Sequence, residues 1–323
     1  MTNALTIGSR REKRRTAAAT RRRAGSARPP WEEPPTAVGQ AAKGLTLGGT
    51  LAVILVPLWI IVLTSFSTPG AINRAGGLVL WPDGLSTETY RQMLSDPTVV
   101  TALWVSLGIT LVGTALSMAV SILCAYGLSR PRSLGHRFVL LLLIVTMFIS
   151  GGLIPSFLVV TGLGGYGQYW ALILPSAVSV FNILVLRAFY QETSSELIDA
   201  ARMDGAGDWR ILWSVVLPTS RAVTAVTALF YAVGYWNSFF NVMLYLPTDS
   251  QKWPLQYVLL TYVNRANGLP GSVNSGFGET HAQTAPLSLQ MAVVVLTLVP
   301  LVIVYPFVQK HLRTGVLTGA IKG

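Results

Sequence analysis

Glu196-Leu197-Ile198-Asp199-Ala200-Ala201-Arg202-Met203-Asp204-Gly205-Ala206-Gly207 is a charged, helix-capable run between two long apolar stretches, and Leu217-Pro218 follows it. A polar insert of this kind in an oily chain is a surface made to be gripped by another protein. Thr193-Ser194-Ser195-Glu196 has the form of a capping box, with Thr193 as N-cap and Glu196 reaching back from the third helical position. A helix is therefore predicted over about 194 to 204, with Leu197, Ala200, Ala201 and Asp204 along one side at helical spacing. Gly205 supplies the stop, because it tolerates the left-handed conformation that closes helices. Asp208 is predicted to cap a second helix with the apolar stripe Trp209, Leu212, Trp213 and Val216. Leu217-Pro218 should end that helix and redirect the chain. The paired alanines let a partner's backbone come close, and the acidic neighbours can accept its hydrogen bonds. A plain helical connector is the alternative.

Outward from this loop the chain reads as membrane protein. Of 323 residues 51% are hydrophobic and 11% charged, too little polar surface for a soluble globule of this size. Six stretches, near 45–66, 101–128, 138–161, 168–190, 219–246 and 287–309, reach the roughly 20 residues that span about 30 Å of hydrocarbon at helical rise. Pro57 should kink the first of them. The fold class is accordingly all-α, with six transmembrane helices. Lys and Arg set the orientation: ten lie in the amino-terminal tail, three in the 129–137 loop, four from Arg187 to Arg221 and three at the carboxyl end. Only Arg74, Arg91, Lys252 and Arg265 fall on the other side. Both termini and the 191–218 loop are therefore predicted to be cytoplasmic in a multi-pass plasma or inner membrane protein.

Residues 1–43 are a different material from the apolar, membrane-spanning body at 44–323. The tail is basic, rich in Ala, carries Pro29-Pro30 and Pro34-Pro35, and has no apolar period, so it is expected to be disordered. It lacks the interleaved aromatics of a nucleic-acid binder; attraction to anionic lipid and control of topology account for its charge. Ser9-Arg10-Arg11 imitates a twin-arginine signal, but no apolar core follows closely, so the first span is read as an anchor that stays.

The spans carry no ionisable residue in their central parts, and Arg187 and Arg221 sit at ends where they can snorkel. A proton-coupled carrier has no relay here. His136, His281 and His311 are far apart, Cys124 stands alone in an apolar stretch, and no phosphate-binding loop occurs. No catalytic group, metal site or cofactor is expected, and any nucleotide work belongs to a partner. Ser150-Gly151-Gly152 reads as close helix packing. Neutral polar residues do recur inside the spans: Asn182 in the fourth, and Tyr235, Trp236, Asn237, Ser238 and Asn241 beside Phe239 and Phe240 in the fifth. Amides and hydroxyls suit sugar hydroxyls, and aromatic faces suit the apolar side of a sugar ring. The same residues also join helices and mark the membrane interface.

The run from Glu196 to Pro218 resembles the cytoplasmic loop of binding-protein-dependent ABC transporter permeases, whose pattern is Glu-Ala-Ala, three residues, Gly, then Ile/Leu-x-Leu-Pro after nine or more. Here Asp199 stands where the family usually has Glu, followed by Ala200, Ala201 and Gly205, and Ser195 replaces the proline often found before the loop helix. Phe148-Ile149-Ser150-Gly151-Gly152-Leu153-Ile154-Pro155, Trp170 to Pro175, Trp236 to Phe240 and the tail around Gly315, Gly319, Ala320 and Lys322-Gly323 are similar to the carbohydrate-uptake branch, particularly permeases for oligosaccharides or polysaccharide fragments. The resemblance implies a type I ABC importer permease architecture. It implies a second permease subunit, two ATPase subunits, an extracytoplasmic solute-binding protein, a sugar substrate and lipid as partners, and no nucleic acid. It also implies that Glu196, Asp199, Ala200, Ala201, Asp204, Gly205, Ala206, Leu217 and Pro218 couple to an ATPase; Asn182, Tyr235, Trp236, Asn237 and Asn241 are expected, from their own chemistry, to line the pathway. The outward segments 67–100 and 247–286 would meet the binding protein. A secondary carrier or channel for a neutral polar solute is the alternative from another class; a membrane enzyme or assembly scaffold is the third.

Overall fold

The computed structural model of the protein describes residues 36–130, 135–149, 151–192, 195–266 and 286–319. Among them the structure is helical, with a single isolated bridge between Ser67 and Leu85 and no strand. Three helices are long and apolar enough to cross a membrane: α1 (Ala37–Ser65), α4 (Pro97–Ser129) and the stretch Leu287–Pro306. Three bent pairs pass the same test, which makes up to six spans among the described residues. The chain divides into two units, Met1–Pro57 and Leu58–Gly323. The first holds the amino-terminal part of α1, which starts at Ala37, inside the segment expected to lack structure. Ala37, Ala41 and Ala42 are strong helix formers, and composition alone had hidden that local preference.

The second unit begins with the end of α1, where Leu63, Thr64 and Ser65 are buried, and continues through α2 (Pro69–Arg74) and α3 (Glu88–Ser95) into α4. Asp96 caps α4 by accepting from the Thr98 amide at 2.8 Å, and Pro97 occupies the first helical position, where a missing N–H costs nothing. The buried face of α4 carries Ala102, Ser106, Gly113, Ser117, Ser121 and Ala125, small residues four or seven positions apart that let other helices approach closely. A Cβ on Gly113 would fall 2.8 Å from the Tyr235 ring, so this contact needs glycine.

The next stretch is α5 (His136–Phe148) and α6 (Leu153–Gly162), separated at Gly151 and Gly152. The packing role expected for these glycines is not what they do. Nothing lies within 4 Å of a Cβ built on Gly151, only Pro155 at 3.9 Å from one on Gly152, and Gly152 has φ +82° as the residue preceding α6. They interrupt the span.

The fourth stretch bends by 50° between α7 (Trp170–Ser176) and α8 (Val180–Gln191). It leads to α9 (Ser195–Met203) and α10 (Asp208–Thr219), the latter turning through 87° into α11 (Arg221–Trp236). α10 has a π-helical stretch over Leu212–Val216. A proline ring clashes with the carbonyl four residues back, and the widened turn just before Pro218 accommodates it, so the helix continues to Thr219 rather than ending at Leu217-Pro218 as expected.

After α11 come α12 (Phe240–Tyr245), α13 (Leu255–Ala266) and α14 (Pro286–Gly319). The first part of the segment expected to be an outward loop is thus a packed helix: Trp253, Leu255, Tyr257 and Val258 are buried, and the Leu255 amide donates to Ser106 Oγ at 2.7 Å. Packing centres on α4, which lies along α11 and α8. Two apolar clusters result. One gathers Ala102, Ile109, Tyr231, Tyr235, Trp236, Val242, Leu255, Val258 and Val293; the other gathers Ala125, Leu128, Ile183, Leu186, Ile211, Leu212, Val216 and Val223.

Candidate functional site

Two helix interruptions face one cavity. The bend between α7 and α8 contributes Ser176 and Ser179, and the gap between α11 and α12 contributes Asn237, Ser238 and Phe239, to a cavity of about 330 Å³ also lined by Asn182, Phe230, Tyr231, Gly234, Tyr235, Phe240 and Asn241. Interrupting a helix frees backbone groups that hydrocarbon cannot satisfy, so broken helices are tolerated where protein or a polar cavity meets them. Here two tyrosines of α11 do so. Ala177 N–H bonds to Leu174 O, leaving the Ile173 carbonyl outside the helical ladder; the Tyr235 hydroxyl donates to it at 3.0 Å. Ser179 N–H, at the start of α8, donates to the Tyr231 hydroxyl at 3.1 Å.

Both hydroxyls also reach α4, Tyr235 to Ser117 at 2.8 Å and Tyr231 to Ser121 at 2.7 Å. Since the single Tyr235 proton is used on Ile173, Ser117 is the donor in that pair. Three helices are therefore held at the cavity wall by two phenols whose rings α11 places one turn apart.

Of the five pathway residues read from the sequence, Asn182, Tyr235, Asn237 and Asn241 line this cavity together. Trp236 does not. It is 4% exposed within the first cluster, and its indole N–H donates to the Thr297 carbonyl of α14 at 3.0 Å. Its neighbours in sequence turn toward the cavity because α11 ends at Trp236, with Asn237 as its cap. Asn237 donates to Val233 O at 3.0 Å and accepts from Gln256 of α13 at 3.3 Å. Ser176, Ser179, Phe230 and Tyr231 were missed. Tyr231 sits four residues before Tyr235, on the same helical face, and that spacing was available in the sequence.

The second candidate surface is α9. Thr193 and Ser194, the proposed start of its capping box, lie outside the described residues. Its far end is a Schellman closure: Gly205 has φ +77°, its N–H bonds to Arg202 O at 2.9 Å, and Ala206 N–H bonds to Ala201 O at 2.9 Å. Ile198, Ala201 and Ala206 are half-buried against the second apolar cluster, so Ala201 turns inward rather than sharing the outer side with Leu197 and Ala200. The outward face holds Glu196, Leu197, Ala200, Met203 and Asp204 instead. Met203 is 89% exposed and Leu197 52%, an apolar pair without a covering element among the described residues. Asp199 makes only a long 3.7 Å pair with Arg202.

α10 anchors this surface to the spans. Ile211, Leu212 and Val216 are each 1% exposed, whereas Trp209 and Trp213 of the expected stripe are 65% and 64% exposed. The buried arc is rotated by about one helical position. Asp208 does not cap α10, since Gly207 holds that place without a side-chain bond. It pairs with Arg130 at 2.5 Å, beyond the end of α4, while the Tyr126 hydroxyl donates to the Asp208 carbonyl at 3.0 Å and accepts from Arg130, whose guanidinium lies over the Tyr126 ring. Arg187 of α8 donates to Leu128 O at 2.9 Å. Leu217 is half-buried on the same cluster, and Pro218 is exposed.

Among the described residues no group of three or more His, Cys, Asp or Glu is placed to hold a metal ion. Comparison with known proteins gives consistent matches. Residues 117–318 match the family described as binding-protein-dependent transport system inner membrane component. The chain is 39% identical over 272 residues to the polygalacturonan/rhamnogalacturonan transport system permease protein YtcP of Bacillus subtilis (strain 168), covering 84% of this chain and 93% of that one. It is 38% identical over 281 residues to protein LplC of the same organism, covering 86% and 93%. Among solved structures, it superposes with a TM-score of 0.77 at 28% identity on a chain from the crystal structure of a bacterial ABC transporter involved in the import of the acidic polysaccharide alginate, covering 87% of this chain and 99% of that one.

Proposed function

The chain belongs to the family of binding-protein-dependent transport system inner membrane components and is an ABC transporter permease of the carbohydrate-uptake type, and from that premise we propose how it works. It crosses the membrane six times with both termini in the cytoplasm, and residues 1–43 form a cytoplasmic tail on a permease body from 44 to 323. It pairs with a second permease subunit, receives an oligosaccharide or polysaccharide fragment from an extracytoplasmic binding protein, and is driven by two ATPase subunits. The chain itself is not the enzyme. The named relatives handle polygalacturonan/rhamnogalacturonan and alginate, and saccharide fragments of that kind are the expected cargo here.

Coupling runs through α9. One observation carries this proposal: an exposed face of Leu197, Ala200, Met203 and Asp204 stands on a helix that is closed at Gly205 and seated through Ile198, Ala201 and Ala206 on the cluster that joins α4, α8 and α10. A partner that grips the outer face moves a packed body, and packed bodies move as units. Glu196, Asp199 and Asp204 supply acceptors at the rim, while Leu217 and Pro218 continue the load into α11. Substrate passes the cavity at Asn182, Tyr235, Asn237 and Asn241, and Trp236 acts from behind the wall by fixing α11 to α14.

Gly205→Asp in the reconstituted complex tests this. A left-handed backbone costs a non-glycine residue roughly 1–2 kcal/mol, and a new charge on the gripped face adds to it, so ATP-driven uptake should fall by about tenfold or more. Uptake and ATP hydrolysis that stay tightly coupled in this variant would remove α9 from the mechanism. Sugar passage through vesicles holding this chain without ATPase subunits would point to a carrier or channel instead.

A further inference from the structure

Between α2 and α3 the chain presents an apolar edge that no element among the described residues covers. Residues 75–86 form a loop closed at its base, where the Thr68 N–H donates to the Gly84 carbonyl at 3.1 Å and the Ser86 N–H to the Phe66 carbonyl at 2.6 Å. Midway along it Val79 is 2% exposed, and its N–H donates to Thr64 Oγ1, near the end of α1, at 3.1 Å. Arg74 of α2 pins the far arm, donating through Nε and Nη2 to Asp83 Oδ2 at 3.2 and 2.7 Å. Leu78 and Leu80, on either side of Val79, turn outward instead and are more than half exposed, as is Leu85; Trp81 is 79% exposed.

The surroundings of the loop say what meets this edge. The apolar run of α1 ends at Leu63 and the polar Thr64 and Ser65 follow, so the Val79 contact sets the loop at the level where α1 leaves hydrocarbon. Trp59 and Val62, near the end of α1, are exposed, and a lipid-facing surface therefore runs up to that level. Asp83 is the sole charged residue of 75–86 and is already paired with Arg74. The loop thus offers a soluble protein no free charge to be steered by, and it takes no unpaired charge into a layer of low dielectric. Peptide groups outside a helix cannot enter hydrocarbon, which limits the depth, and an indole suits the interface, where its ring meets lipid and its N–H meets water. We propose that loop 75–86 lies in the headgroup layer with Leu78, Leu80, Trp81 and Leu85 against the upper acyl chains, an anchor that fixes the depth at which α1 ends. In the orientation proposed above this is the outer leaflet, and the loop belongs to lipid although the segment 67–100 around it was expected to meet the binding protein. A hydrogen bond of 2.8 Å between the Ser65 and Tyr90 hydroxyls and the stacking of Phe66 on Tyr90 at 4.6 Å carry that depth into α3, and Asp96 leads on into α4.

The test uses the full reconstituted complex with Trp81→Cys in a Cys124→Ala chain, which leaves one cysteine in this subunit for an environment-sensitive fluorophore; the same complex without the new cysteine gives the background. In vesicles of phosphatidylcholine brominated high on its acyl chains, the label should emit at shorter wavelength than the free dye in buffer. It should lose most of its emission relative to unbrominated vesicles, while aqueous iodide removes little. Leu85→Cys, on the other arm of the loop, should give the same pattern. A label quenched by iodide and not by the brominated lipid overturns the anchor. So does a label that iodide reaches until the loaded binding protein is added, since that assigns the loop to protein docking. Neither readout needs sugar to move, so a failure here leaves the carbohydrate function standing, and a complex that takes up no sugar still tests the anchor.

Discussion

The loop-side cluster and the cavity wall are built on opposite rules, although α4, α8 and α11 take part in both. Around Ile211, Leu212 and Val216 the contacts are apolar and closed, with side chains from α4, α8, α10 and α11 filling one another's gaps. Around the cavity the helices are cut, and the freed backbone groups are met by hydroxyls from elsewhere in the fold. A region proposed to carry force must not deform, and this one is filled mainly by apolar side chains. A region proposed to pass a polar cargo must present donors and acceptors, and here the interrupted helices are held by tyrosine hydroxyls.

If this division is right, damage to the two regions should show differently. Leu212→Ala opens a hole at a side chain that is 1% exposed, which typically costs about 2–5 kcal/mol. The purified permease should unfold at a markedly lower temperature, and in the reconstituted complex ATP hydrolysis should lose its dependence on the loaded binding protein. Wild-type coupling in that variant, at lowered stability, would mean that the cluster only holds the fold together.

Removing the hydroxyl of Tyr231 or Tyr235 leaves the half-buried Ser179 N–H or the buried Ile173 carbonyl without its partner, at up to about 1–3 kcal/mol each. Tyr231→Phe and Tyr235→Phe should therefore destabilise less than Leu212→Ala. They should slow uptake while leaving the dependence of ATP hydrolysis on binding protein in place. If hydrolysis becomes independent of binding protein instead, the two regions are one mechanical unit and the contrast between them disappears.

Much of this was legible in the residues. The apolar stretches located the helices, because hydrocarbon admits few other structures, and Gly205 announced its own left-handed turn. The helix interruptions were only half visible. Gly151-Gly152 stood in the sequence as a breaker but was read as packing, and the bend before Val180 is marked only by Pro175 and two serines. The outer side of α10 could not be chosen from periodicity, since Trp209, Ile211, Leu212, Trp213, Val215 and Val216 surround the helix with apolar groups and leave more than one candidate arc. The small residues of α4 were there to be found, at intervals of four and seven, yet the span had been read only for its length. The pairing of Asp208 with Arg130, 78 positions apart, is tertiary, and a local capping rule offered the wrong partner.

That pair gives the weakest of the expected effects. The Arg130 side chain is 25% exposed and that of Asp208 67%, so the Coulombic gain is shared with solvent and surface pairs of this kind contribute about 0–1 kcal/mol. Arg130→Ala should barely move the unfolding temperature compared with Leu212→Ala. It also removes the guanidinium from the Tyr126 ring and hydroxyl, which together with Asp208 tie the end of α4 to the start of α10. A loss of coupling out of proportion to that small loss of stability, measured as uptake per ATP hydrolysed at low and high salt, would show that the charged clasp transmits force along with the apolar cluster. Unchanged uptake per ATP at both salt concentrations leaves transmission to the packed side chains alone, as the contrast with the cavity wall requires.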